Sequence, residues 1–303
     1  MSNIFLAHKT LAAIDAALEA DQGAKYRTFL GKVIPHMDDA YRGEDEGFRS
    51  HMGGSLIGGE CPRAIWYGWR WVTKSKFPGR ILRLFNRGHL EEARFIALLL
   101  MIGVQVYQQD ANGKQFRISH ADGHFGGAGD GVGVNIPDLQ PGQAALLEFK
   151  THGEKSFKEL SAKGVRDAKF EHYVQMNVYM RKMGLAVALY GAVNKNTDEL
   201  YLEIVVLDVA VADQFLDRGE KLIALEEPPK RLSESPGFWK CRFCDHKPVC
   251  HMKKAPERNC RTCVFSRPGT AGEGQWLCLK YDSVIPKETQ LAGCPAYEQH
   301  PTI

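Results

Sequence analysis

Apolar side chains recur at helical spacing through residues 1–50, where Leu11, Ile14 and Leu18, and later Phe29 and Leu30, supply one face. A Gly-rich turn over 51–59 leads into "ECPRAIWYGWRWV", which reads as a further helix. The stretch "FNRGHLEEARFIALLLMIG" predicts a long helix that ends at Gly103, and its second half is apolar on every side, the mark of a buried helix. The period then changes from helical to alternating. Strands are expected at 104–109, 115–119, 124–134 and 144–151, with Pro137 and Pro141-Gly142 turning the chain before the last. Residues 165–183 predict an amphipathic helix. "LAVALYGAV" and "ELYLEIVVLD" predict a hairpin across "NKNTDE", and 209–225 is again helical. The Pro- and Ser-rich "EEPPKRLSESPGFWK" reads as a linker, beyond which Cys, Pro and short loops prevail. Helices interleaved with strands predict an α/β fold, a mixed sheet flanked by helices.

Composition changes this picture little. The chain is 44% hydrophobic and 25% charged, as globular domains are, and its net charge of +3 neither argues for a nucleic-acid partner nor against one. The longest apolar run, 95–104, falls short of the roughly 20 residues of a membrane span, and the first residues lack a secretory pattern. A cytoplasmic setting is expected, and with it reduced thiols. Cys61 stands alone, whereas the other seven cysteines all follow residue 240. Thiolates at short spacings in a reducing compartment point to metal.

The chemistry concentrates in "LLEFKTHG". On a strand, Glu148 and Lys150 share one face while Leu147, Phe149 and Thr151 share the other. Taken alone, such a pair is a common surface ion pair. Upstream, Asp130 lies in "FGGAGDGVGV", where glycines 129, 131 and 133 leave room for a ligand to approach. Pairing 124–134 with 144–151 as a hairpin would set Asp130 beside Glu148 and Lys150. Two carboxylates and a lysine so placed suit phosphodiester hydrolysis: oxygen ligands hold a hard divalent cation, and the ammonium offsets developing negative charge. His89 and Glu92, three apart on a helix, could reach such a cation, though His89 taken alone reads first as a surface histidine near a helix start. Gln175 and Tyr179 lie one helical turn apart and share a face with His172, a pattern also common on a partly exposed helix.

In order and spacing, His89, Asp130, Glu148-x-Lys150 and Gln175-x3-Tyr179 resemble the RecB-type branch of the PD-(D/E)xK nuclease superfamily. The resemblance covers roughly residues 53–251 and departs at Gly129, where the family name has proline. It implies a restriction-endonuclease-like core in which His89, Asp130 and Glu148 hold Mg²⁺ or Mn²⁺ and Lys150 is catalytic. Gln175 and Tyr179 would position DNA. The activity implied is that of a DNA exonuclease acting on single strands or ends, in recombination, repair, phage or CRISPR settings. A non-catalytic DNA-binding or assembly subunit and a restriction-type endonuclease are the alternatives.

Cys241-x2-Cys244-x5-Cys250 is a compact trio lacking a fourth thiolate, which Cys61 can supply. One cysteine before the nuclease motifs and three after resembles the iron–sulfur subset of that branch, which includes CRISPR-adaptation exonucleases and AddB. It implies a 4Fe–4S cluster, with a recombination or CRISPR-adaptation protein as a possible partner; a four-cysteine zinc site is the alternative. Cys260, Cys263, Cys278 and Cys294 fall outside that pattern and predict a zinc-stabilised module, with a second cluster as the alternative. The expected division is therefore a helical region over 1–52, a nuclease core over 53–251 and a four-cysteine module over 252–303. In "RAIWYGWRW", Arg63 and Arg70 interleave with Trp66, Tyr67, Trp69 and Trp71, a mixture suited to stacking on unpaired bases or to packing around the cluster.

Overall fold

The structure is a computed structural model and describes residues 4–37, 48–112 and 115–303. The chain separates into two compact units: 1–44, 77–118 and 128–212 form one, and 45–76, 119–127 and 213–303 form the other. The division cuts across the expected segments, because residues 53–76 and 213–251 belong with the C-terminal cysteines. Among the described residues no helix is long and apolar enough to cross a membrane.

The first unit is α/β. Helices α1 (His8–Asp21), α2 (Ala24–Val33) and α3 (Gly79–Met101) precede strands β1 (Gln105–Tyr107), β2 (Gly131–Val134) and β3 (Ala144–His152). Helices α4 (Glu154–Ala168) and α5 (Phe170–Met183) follow, then β4 (Val187–Asn194) and β5 (Leu200–Val206). The five strands form one mixed sheet in chain order. β3 and β4 are parallel and the other neighbours antiparallel, so the α4–α5 pair is the crossover that parallel pairing requires.

Alternation along β3 sorts the core from the chemistry. Ala145, Leu147 and Phe149 join Phe95 and Leu99 of α3, Ile14 of α1 and Leu189 and Leu202 of the sheet in one apolar core. Phe149 stacks on Phe95 at 4.8 Å with ring planes 2° apart. Gly191 makes room for that stack, since a Cβ there would come within 2.9 Å of Phe149 Cδ1. The opposite face carries Glu148, Lys150 and His152 and is covered by α5, whose Gln175 reaches Glu148.

Three expectations change. The strand expected over 124–134 is broken at Gly129–Asp130 into Phe125–Ala128 and Gly131–Val134. Gly131 has φ +149°, and a Cβ there would lie 2.9 Å from the Tyr107 carbonyl oxygen, so the chain kinks where only glycine is comfortable. The helix expected over 165–183 is two, α4 and α5, parted at Lys169, whose φ of −138° is not helical. The long helix starts at Gly79, directly after Pro78, earlier than the apolar pattern suggested.

In the second unit, Met52 and Gly53 pair in parallel with Phe125 and Gly126. A helix spans Pro62–Trp69, and Ser266–Pro268, Trp276–Cys278 and Ser283–Ile285 form a three-stranded antiparallel sheet. Its interior is aromatic and cationic. Trp66, Tyr67, Trp69, Trp71 and Trp276 are at most 2% exposed, and Arg70 and Arg261 are buried among them. The Arg261 guanidinium lies 3.6 Å from the Trp71 ring centre and donates to the Trp69 and Ser50 carbonyls at 2.9 Å. The "RAIWYGWRW" rings are therefore core, as the packing reading of that stretch expects, and burial rules out the alternative of stacking on bases.

Candidate active site

β2 and β3 deliver the acidic groups. Gly131 is in register with Leu147, which puts Asp130 at the level of Glu148. The kink turns the Asp130 carboxylate onto β3, where its Oδ2 accepts the Phe149 N–H at 2.8 Å. Glu148 is wholly buried, yet its carboxylate is well supplied with donors: Gln175 Nε2 lies 2.9 Å from each oxygen, and the Lys150 ammonium is hydrogen-bonded to Oε1. Burying a charged carboxylate is expensive unless it is paired and hydrogen-bonded, and here it is both.

The electrostatics follow from that burial. Burial first, and the nearby Asp130 carboxylate second among the raising influences, push the Glu148 carboxyl up to about 7, against the pull of Lys150 and Gln175. Burial raises Asp130 as well, opposed by Lys150, the Phe149 N–H and His89. Lys150 runs the other way. Burial disfavours its ammonium, but the Glu148 and Asp130 carboxylates outweigh that and raise its pKa, so Lys150 is a fixed cation.

From α3, His89 and Glu92 sit 3.9 Å apart (Nδ1 to Oε1), 38% and 28% exposed. His89 is close enough for its charge to act on Asp130, and Glu92 on Lys150. Tyr179 is 2% exposed and packs near Gly129, whose Cβ position lies 3.9 Å from the tyrosine ring. Gln175, 6% exposed, is engaged by Glu148. Gln175 thus holds the acidic strand, and Tyr179 lies buried beside Gly129.

One part of the site was not foreseen. The Tyr190 hydroxyl lies 3.0 Å from His152 Nε2 and 2.9 Å from His172 Nδ1, and His152 Nδ1 lies 3.2 Å from Ser156 Oγ. Tyr190 is the register partner of Glu148, so this chain of polar groups adjoins the acid–lysine pair. Burial lowers His152 to about 4 and His172 to about 3, with Lys150 adding to both, so the imidazoles are neutral near pH 7. His152 has the same strand parity as Glu148 and Lys150, which was the available signal; Tyr190 gave none, because only the register of β3 on β4 brings it there.

The cysteines fall into the two expected sets, both in the second unit. Cys61, Cys241, Cys244 and Cys250 line one small cavity of about 20 Å³ beside Tyr67 and Arg231. Burial raises the Cys241 and Cys244 thiols, and the Cys61 and Cys250 sulfurs add to the rise. Cys260 is pushed up to about 11 by burial and then by Cys294, Cys263 and Cys278. In that second set Asn259 caps the turn at Cys260–Thr262, Cys278 ends the central strand of the small sheet, and Cys263 bridges to Gln299. Among the described residues no three His, Cys, Asp or Glu side chains are arranged to hold a metal ion as they stand. By donor type, four sulfurs in each set suit iron–sulfur or zinc, and the Asp130 and Glu148 oxygens suit a hard divalent cation.

No protein-family model matches the chain, and no curated protein matches it significantly. Among solved structures it is similar to an alkaline exonuclease from Laribacter hongkongensis, at 15% identity and TM-score 0.43, covering 58% of this chain and 87% of that one. The same exonuclease in complex with dAMP matches at 14% identity and TM-score 0.41 over the same shares. A protein designated SSO0001 matches at 14% identity and TM-score 0.40, covering 78% of this chain and 98% of that one. Likenesses this low assign no family and transfer no activity.

Proposed function

We propose that this chain is a divalent-cation-dependent deoxyribonuclease that trims DNA from ends or along single strands. The observation that carries the reading is the convergence of Asp130, Glu148 and Lys150 on adjacent strands. Two buried carboxyls with raised pKa values stand beside a lysine held charged. Two such carboxyls gain most from a cation, and among the described residues no cationic side chain beyond Lys150 bonds to Glu148. Mg²⁺ or Mn²⁺ on Asp130 and Glu148, with His89 at the rim, would polarise the scissile phosphate and lower the pKa of a bound water.

The chain's own groups supply the rest. Lys150 offsets negative charge gathering on the phosphate and orients the attacking water. Gln175 fixes the Glu148 carboxylate, and the Phe149 N–H fixes that of Asp130. The motif resemblance supplies DNA as the substrate class. On the same basis Cys61, Cys241, Cys244 and Cys250 are read as ligands of a 4Fe–4S cluster, and Cys260, Cys263, Cys278 and Cys294 as a zinc site, each supported by its grouping of sulfurs. Incubation with end-labelled linear and covalently closed circular DNA, with Mn²⁺ or with EDTA, tests the nuclease reading. Loss of linear DNA alone, only with Mn²⁺, is expected; inert linear DNA would refute it.

A further inference from the structure

The first cysteine set is drawn from two distant pieces of chain, Cys61 before the helix Pro62–Trp69 and Cys241, Cys244 and Cys250 far downstream. The Pro- and Ser-rich stretch that reads as a linker is bonded to both. On the Cys61 side, Arg63 Nε donates to the Pro229 carbonyl at 2.6 Å, and Trp66 Nε1 donates to that of Leu225 at 3.3 Å. On the other side, Arg231 donates to the Cys250 carbonyl through Nε at 2.9 Å and through Nη2 at 2.6 Å. That carbonyl lies in the last turn of the short helix Lys247–Met252, where no intrahelical N–H can reach it. Glu234, largely exposed, takes the remaining Nη1 at 2.9 Å. Glu60 and Lys240, the neighbours of Cys61 and Cys241, join the same two pieces as an ion pair. The charges agree with the bonds. The cavity that the four cysteines line carries three fixed cations, Arg63, Arg231 and Lys247, and among the described residues no carboxylate.

We propose that Arg231 is a positioning residue for the metal centre held by Cys61, Cys241, Cys244 and Cys250, and that residues 225–231 are a strap across it. Two donors on one carbonyl oxygen fix the turn that carries Cys250, while the strap's bonds to Arg63 and Trp66 fix it to the Cys61 side. The positive charge has its own use. Four thiolates outweigh the charge of the metal core they surround, so the centre as a whole is anionic and gains from cations in its wall. Reduction would add one more negative charge, and a nearby cation favours the reduced form and raises the potential. The inference rests on the iron–sulfur reading of this set and adds the residue that closes the site and tunes it.

The test uses full-length protein purified without oxygen and two readouts: the potential from a dithionite titration, one electron per centre, and the rate of iron loss to an excess of the chelator bathophenanthroline. Three variants separate clamp from charge. Arg231→Lys keeps the cation and loses the two-pronged bond, so its potential should stay near that of wild type while iron leaves roughly ten-fold faster. Lys247→Met removes a cation that lines the cavity and leaves the strap bonded. Its potential should fall by a roughly ten-fold shift of the reduction equilibrium, about 59 mV for one electron, with iron loss little changed. Arg231→Met should show both effects. Iron loss at the wild-type rate in Arg231→Lys would overturn the clamp, and an unshifted potential in both Met variants would overturn the charge role. Wild type that holds no iron would overturn the cluster reading instead, which elemental analysis of the same preparation shows before either readout is taken.

Discussion

Gln175 Nε2 stands 2.9 Å from both oxygens of Glu148, so the helix that follows the crossover is bonded to the acid in the middle of the sheet. The family resemblance implies a substrate contact for this glutamine. In the folded protein it holds a buried carboxylate in place. Gln175→Ala should cost about 2 kcal/mol of stability, the scale of hydrogen bonds to a charged group. Gln175→Glu would set a second carboxylate against Glu148, raise its pKa further and shift the activity optimum to higher pH. Urea unfolding and a pH–rate profile read the two effects; an unshifted optimum in Gln175→Glu would count against this role.

The raised Glu148 pKa has a sign that can be checked without substrate. Its folded value, about 7, exceeds the ordinary 4.5, so folding favours the protonated form. The stability this confers is full below about 4.5 and is lost as pH rises through about 7. Cation binding needs the carboxylate and therefore strengthens over the same range. Thermal melts should show wild type losing stability between pH 5 and 8 relative to Glu148→Gln in EDTA, with Mn²⁺ raising the wild-type midpoint more at pH 8 than at pH 5.5. A Mn²⁺ shift of equal size at both pH values, or one retained by Glu148→Gln, would place the cation elsewhere.

Tyr190→Phe removes the hydroxyl shared by His152 and His172 and leaves two largely buried imidazole nitrogens without that partner. A loss of about 1–3 kcal/mol is expected in urea unfolding. An unchanged unfolding midpoint would show that water takes the hydroxyl's place.

The alternation of Leu147 and Phe149 with Glu148 and Lys150 was legible in sequence because a strand has only two faces and β3 uses both fully. Asp130 was legible too, since a hairpin between neighbouring strands brings it across. Tyr190 and the α4 helix were not. Tyr190 arrives through parallel pairing with a strand beyond the crossover, and α4, rich in Lys, Glu and Ser, is interrupted at Gly164. Packing of Trp66, Trp69 and Trp71 was legible, since rings so closely spaced cannot all face one side of a helix, but their partners Arg261 and Trp276 were not, because they lie far along the chain. The same long-range contacts make the two units interleave in sequence.

The cysteine sets are expected to be separate centres. Protein purified without oxygen should contain both iron and zinc. Cys61→Ser should lose iron and much stability while retaining zinc, and Cys263→Ser should lose zinc while the iron and the first unit persist. Elemental analysis of the two variants side by side reads this. Loss of both metals from both variants would mean the sets depend on one another, and iron-free wild type would replace the cluster with zinc.

The decisive comparison is single-turnover cleavage of end-labelled linear DNA by wild type, Asp130→Ala, Glu148→Gln and Lys150→Ala, with binding of the same DNA measured in EDTA. The Asp130, Glu148 and Lys150 site predicts Mn²⁺-dependent cleavage by wild type, at least a hundred-fold loss (about 3 kcal/mol or more of transition-state stabilisation) in each variant, and nearly unchanged binding. Full cleavage by Lys150→Ala, or cleavage by wild type in EDTA, would contradict it.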